Sequence, residues 1–101
     1  MPTVRLVVLP WLTRTFGASG PGRLVREEAV TPGSTVRDLF DRLAVEHQGF
    51  AELAFDRNTR ELSGLVCAIL NDRLLDLQGG LDVAFTEGDT LLVLPAFSGG
   101  A

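Results

Sequence analysis

Glu87-Gly88-Asp89-Thr90-Leu91-Leu92-Val93-Leu94-Pro95 reads as a tight turn feeding a short strand, Thr90 to Leu94, that exits through a proline. Side chains alternate along a strand, so Leu91 and Val93 share one face and Leu92 and Leu94 the other. Both faces are apolar. The start of the chain has the same character: over residues 3–9, Val4, Leu6 and Val8 alternate with Thr3, Arg5, Val7 and Leu9. Either the outer face of these two strands is covered by the domain's own loops, or it is a surface for a partner.

Between them lie further elements. Residues 10–22 carry Gly17, Gly20, Pro21 and Gly22 and read as a long, flexible hairpin connection. Trp11 in this loop either is buried or extends the apolar face. Arg23 to Val30 returns as a more polar strand suited to a sheet edge. After the turn Thr31-Pro32-Gly33, Thr35 and Asp38 are spaced as a capping box, and Val36, Leu39, Phe40, Leu43 and Ala44 make one apolar stripe at helical spacing. His47, close to that stripe near the helix end, reads as a packed or capping residue. Residues 48–64 lose the pattern and read as an insertion, with a short helix around Phe50 to Phe55 and an exposed turn from Asp56 to Glu61. Leu65 to Leu70 reads as a buried strand, Asn71-Asp72 as a turn, Leu74 to Leu77 as a short strand, and Gly79-Gly80 as a break. One helix crossing a mixed sheet is the economical packing for this order, with the first and last strands as central neighbours.

Composition narrows the function. At 101 residues, 46% hydrophobic and 22% charged, the chain is one folded domain. A net charge of −4 lacks the clustered cations that phosphate contacts require, so no nucleic-acid partner is expected. No apolar run reaches the length needed to span a bilayer, and Leu6 to Leu12 is short and interrupted by Pro10, so neither membrane nor export is expected and the location is read as cytoplasmic. Cys67 is the single cysteine, which excludes an internal disulfide and a multi-thiolate metal site. It reads as a small buried hydrophobe within its apolar run. One His, no paired carboxylates at a recognisable spacing and no phosphate-binding glycine loop leave little for intrinsic catalysis. All nine basic residues are arginine, so the N-terminus is the only aliphatic amine.

The chemistry lies at the end of the chain, Ala96-Phe97-Ser98-Gly99-Gly100-Ala101. A carboxylate is a poor electrophile and must be activated inside a cleft that excludes water. Glycine has no Cβ, so Gly99 and Gly100 can thread where other residues would clash, and Ser98 shares that path. From Phe97 to Gly100 an extended chain reaches about 10 Å, enough to enter a partner while the body stays outside. A frayed glycine-rich end without function is the plain alternative.

The stretch Glu87-Gly88-Asp89 through Leu94-Pro95-Ala96-Phe97-Ser98-Gly99-Gly100 closely resembles the terminal segment of the ThiS/MoaD sulfur carriers, and Leu70-Asn71-Asp72 and Gly79-Gly80 fall where those proteins place turns. The resemblance is specific from about Leu65 onward and extends to the whole chain in element order. It implies an α+β, β-grasp, ubiquitin-like fold, with residues 1–97 as the body and 98–101 as a flexible tail. It further implies that the carboxylate of Gly100 is adenylated by an E1-like enzyme and converted to a thiocarboxylate. ATP would be used by that enzyme and no cofactor held permanently; a sulfur donor protein and a sulfur-accepting synthase would complete the partners. Leu9, Leu74 and Leu94 match positions such carriers use against partners, and Leu92 and Phe97 adjoin them.

Ala101 departs from the pattern, because it hides the Gly100 carboxylate as an amide. The resemblance then implies removal of Ala101 by a zinc peptidase of the JAMM type; an added residue, or a tolerated alanine end, are the alternatives. The chain length and the segment 48–64 look more like carriers serving cysteine biosynthesis than the shortest thiamine-type members. A small subunit of molybdopterin synthase, a ubiquitin-like modifier and a pure binding module are the competing readings.

Overall fold

The computed structural model describes residues 2–10, 12, 16 and 22–96. β1 (Thr3–Val8) and β2 (Leu24–Ala29) form an antiparallel hairpin in which Thr3 pairs with Ala29 and Val8 with Leu24. Within their connection Leu12 is fully buried and Phe16 packs on the core. The readings for Trp11 and for the glycines of this loop up to Gly20 lie outside the described residues.

α1 (Val36–Glu46) starts at the capping box. Thr35 Oγ1 accepts from the Asp38 N–H at 3.2 Å, and Asp38 Oδ2 accepts from the Thr35 N–H at 3.0 Å, so two backbone donors at the helix start are satisfied. The bond from the Thr35 backbone does most to hold the Asp38 carboxyl below its ordinary range. Val36, Leu39, Phe40, Leu43 and Ala44, the whole expected stripe, are buried. His47 ends α1 and begins α2 (Gln48–Leu53). Its ring meets Phe16 edge-on at 4.7 Å and lies 3.3 Å from Arg26 Nη1, the packed role expected for it.

β3 (Phe55–Asp56) and β4 (Glu61–Leu62) form a small separate hairpin. Residues 48–64 are therefore not an appended insertion. Phe50, Ala54 and Phe55 are at most 1% exposed, and the rings of Phe50 and Phe55 lie 5.7 and 6.0 Å from that of Phe40. The segment closes one end of the core; its irregular spacing reflects short elements that each contribute one or two buried side chains.

β5 (Val66–Leu70) turns through Asn71-Asp72 into β6 (Arg73–Leu74). Asn71 and Asp72 have φ of 51° and 70°, the left-handed pair of a two-residue hairpin turn. The short strand expected over Leu74 to Leu77 ends at Leu74, and Leu75–Gln78 is a turn of 3-10 helix. Gln78 Nε2 donates to the carbonyls of Leu70 and Arg73, both at 2.9 Å, and this bends the chain away from the sheet. A second 3-10 turn spans Gly80–Asp82, and β7 (Thr90–Pro95) completes the sheet.

The strand order is β2-β1-β7-β5-β6, with β7 parallel to β1 and antiparallel to β5. The first and last strands are neighbours, and α1 supplies the crossing. On the helix side Val4, Leu6, Val8, Val66, Ala68, Leu70, Leu91 and Val93 are buried together with the α1 stripe. This is the β-grasp architecture. Two assignments in the Leu65 to Leu70 run change. Leu65 precedes the strand and is 45% exposed, and Cys67 is half-buried instead of buried. The reason is alternation: Val66, Ala68 and Leu70 point to the core, so Cys67 and Ile69 point away from it.

Candidate docking face and tail root

The face of the sheet opposite α1 has a row that runs through all five strands. Val25 pairs with Val7, Val7 with Leu92, Leu92 with Ile69, and Ile69 with Leu74. A second row sets Leu94 opposite Cys67, and Leu9, whose N–H donates to Val93 O at 3.0 Å, lies alongside. Val7, Leu9, Cys67, Ile69, Leu92 and Leu94 are half-buried, while Val25 and Leu74 are 49% and 46% exposed. Of the residues expected to meet a partner, Leu9, Leu74, Leu92 and Leu94 thus fall on one continuous apolar surface. Phe97, Ser98, Gly99, Gly100 and Ala101 lie outside the described residues. Sequence reading missed Ile69 and Val25; strict alternation from Val66 would have found Ile69, whereas Val25 enters only through the pairing register of β2.

β7 is held from both sides as far as Val93, and its last residues are held from the β5 side. β7 lies between β1 and β5, Pro95 pairs with Val66, and the Ala96 N–H donates to Leu65 O at 2.8 Å. At the other end of β7, Asp89 is buried and accepts from Asn71 Nδ2 at 2.9 Å, the Thr86 N–H at 2.8 Å and Thr86 Oγ1 at 3.0 Å. Asn71 Oδ1 accepts in turn from the Thr90 N–H at 2.9 Å. Burial pushes the Asp89 carboxyl up, but these three bonds outweigh it and hold the pKa below the ordinary value. The two turns quoted for the family resemblance, Leu70-Asn71-Asp72 and Glu87-Gly88-Asp89, are therefore one hydrogen-bonded knot that sets where β7 begins. Gly88, at φ 86°, supplies the left-handed residue that this turn requires.

Among the described residues, no group of three or more His, Cys, Asp or Glu side chains is placed to hold a metal ion, and no helix is long and apolar enough to cross a membrane. What the arrangement offers chemically is a rigid body, an apolar face and a chain that leaves the middle of the sheet.

Comparison with known proteins agrees with this geometry. The model of the ThiS family matches residues 19–100. No curated protein sequence matches the chain significantly. Among solved structures, Urm1 from Trypanosoma brucei superposes with a TM-score of 0.74 at 18% identity, covering 97% of this chain and 95% of that one. A putative molybdopterin converting factor, subunit 1, from Pyrococcus furiosus gives 0.71 at 20% identity, with 96% and 100% covered. A chain of the Amycolatopsis orientalis BexX/CysO complex gives 0.64 at 28% identity, with 94% and 99% covered. The chain belongs to the ThiS family and has the ubiquitin-like β-grasp fold.

Proposed function

We propose that this protein is a sulfur carrier whose working group is the carboxylate of Gly100. The observation that carries the reading is the family match that runs through Gly99-Gly100, combined with a last strand held by β1 as far as Val93 and on the β5 side as far as Ala96. A rigid root fixes the direction in which four further residues can reach, and the small Gly99-Gly100 pair lets that reach end inside a narrow cleft. An E1-like enzyme joins the Gly100 carboxylate to AMP with release of pyrophosphate from ATP. Sulfur at the sulfide level, delivered by a donor protein, then displaces AMP and leaves a thiocarboxylate. That nucleophile passes its sulfur to a synthase in cofactor or cysteine biosynthesis. The apolar face around Leu9, Leu74, Leu92 and Leu94, with Phe97, docks the partners in this reading, and the body itself performs no catalysis. The likeness to a chain of the BexX/CysO complex supports action in the grip of a partner protein.

The peptide bond to Ala101 must be cleaved before activation, because an amide carbonyl offers no carboxylate oxygen to ATP. The family match ends at Gly100 and leaves Ala101 beyond it, which supports this step, and a JAMM-type zinc peptidase is the class of enzyme suited to it. The test compares the full chain with a form ending at Gly100, each incubated with ATP, an E1-like enzyme and a sulfur source. Intact mass spectrometry should show one oxygen-for-sulfur exchange only on the form ending at Gly100. No exchange on that form would defeat the carrier reading; equal adenylation of both forms, with Ala101 still attached, would defeat the processing step. Covalent conjugates to lysines of other proteins would mark a modifier instead.

A further inference from the structure

Beside the root of the tail lies a cavity of about 350 Å³. Val66, Ala68, Leu75 and Leu81, all core residues, form its floor, and the exposed Glu61, Asp76 and Ala96 stand at its rim. The cavity exists because β6 is only two residues long. It pairs with β5 at Ile69 and Leu70 and then leaves as the 3-10 turn Leu75–Gln78. Among the described residues, the edge of β5 from Val66 to Ala68 therefore has no strand partner on that side.

The lining contains two carboxylates and no basic side chain among the described residues. Glu61 is 65% exposed with Arg37 at 3.7 Å, and Asp76 has no cationic partner among the described residues. An apolar occupant would strip water from these carboxylates without replacing it, which is costly. An arginine satisfies all three features at once. Its methylene stem covers the apolar floor, and its guanidinium offers five donors to the rim carboxylates and to carbonyls along the unpaired strand edge. Ala96 belongs to the rim, so a protein that encloses the residues after Ala96 comes within side-chain reach of the cavity.

We propose that this cavity anchors an arginine side chain of the enzyme that activates the tail. The identity of that partner rests on the carrier reading; the preference of the cavity for arginine does not. The experiment titrates the isotope-labelled full chain with Nα-acetyl-arginine amide, and in parallel with Nα-acetyl-norleucine amide, while following backbone amide resonances. Arginine amide should produce saturable shifts centred on Ala68, Asp76 and Ala96, with a dissociation constant in the millimolar range. The pair Glu61→Gln and Asp76→Asn should weaken binding about three- to fivefold, the size of an exposed ion-pair effect. Asp76→Asn alone, at an exposed position, serves if the double variant fails to fold. Shifts that do not saturate, an equal response to norleucine amide, or binding unchanged by the variants would overturn the proposal. No enzyme enters this titration, so its failure and that of the carrier reading are separate results.

Discussion

Asp89 shows how much one side chain can hold in place. It is buried, accepts three hydrogen bonds, and through Asn71 connects the β5–β6 turn to the first residue of β7. Replacing it with Ala should cost ~1–3 kcal/mol, because Asn71 and Thr86 are left with unpaired donors; urea denaturation at pH 7 measures this. Its depressed pKa gives the sign of a pH effect. The stabilisation is fully present above the unfolded carboxylate value, near ~3.9, and is lost as pH falls through the lower folded value. Asp38, lowered chiefly by its bond to the Thr35 backbone, titrates in the same direction. In Asp89→Asn the fall in stability between about pH 5 and pH 2 should be shallower than in wild type, as followed by thermal melts across that range.

Among the elements, α1 and the β5–β6 hairpin were legible for different reasons. The helix was readable in full, because its cap and its stripe are both local patterns of three and four residues. Thr35→Ala removes the capping oxygen and should cost ~0.5–2 kcal/mol of stability by denaturant melt. The turn at Asn71-Asp72 was readable because both residue types tolerate the left-handed conformation that both adopt. Asp72→Gly should leave stability nearly unchanged. Asp72→Val, which forces a β-branched side chain to φ near 70°, should cost ~1–2 kcal/mol. By contrast, the strand expected over Leu74 to Leu77 fails because one side chain, Gln78, takes the Leu70 and Arg73 carbonyls and redirects the chain. No pattern in the apolar spacing announces such a bond.

At the scale of the whole molecule, the sheet gathers residues from five strands into one apolar row, Val25-Val7-Leu92-Ile69-Leu74, with Leu9 and Leu94 beside it. Under the proposed function, half-buried leucines on the face away from α1 contribute less to folding than to docking, and this predicts a mutational asymmetry. Leu94→Asp should raise the dissociation constant for an activating partner about tenfold or more while costing less than about 2 kcal/mol of stability. Phe40→Ala, fully buried among Phe50 and Phe55, should do the reverse, costing ~3–5 kcal/mol with little effect on docking per folded molecule. Calorimetric titration set beside denaturant melts separates the two. Equal losses of binding and stability in Leu94→Asp would assign that residue to the core.

By itself the sequence determined the periodic and local features: the capped helix with its apolar stripe, the alternation of β1 and β7, the turns at Asn71-Asp72 and Gly88, and the glycine pair at the end. Each depends on a handful of consecutive residues and on backbone sterics. Tertiary structure alone decided the rest. The parallel pairing of β1 with β7 brings Val7 to Leu92 across more than 80 residues of chain. The short β6 leaves the edge of β5 from Val66 to Ala68 without a strand partner among the described residues, and the segment 48–64 contributes to the core because Phe50 and Phe55 meet Phe40. These outcomes depend on which surfaces meet when loop entropy, burial and hydrogen bonding are settled together, and no window of neighbouring residues contains that information.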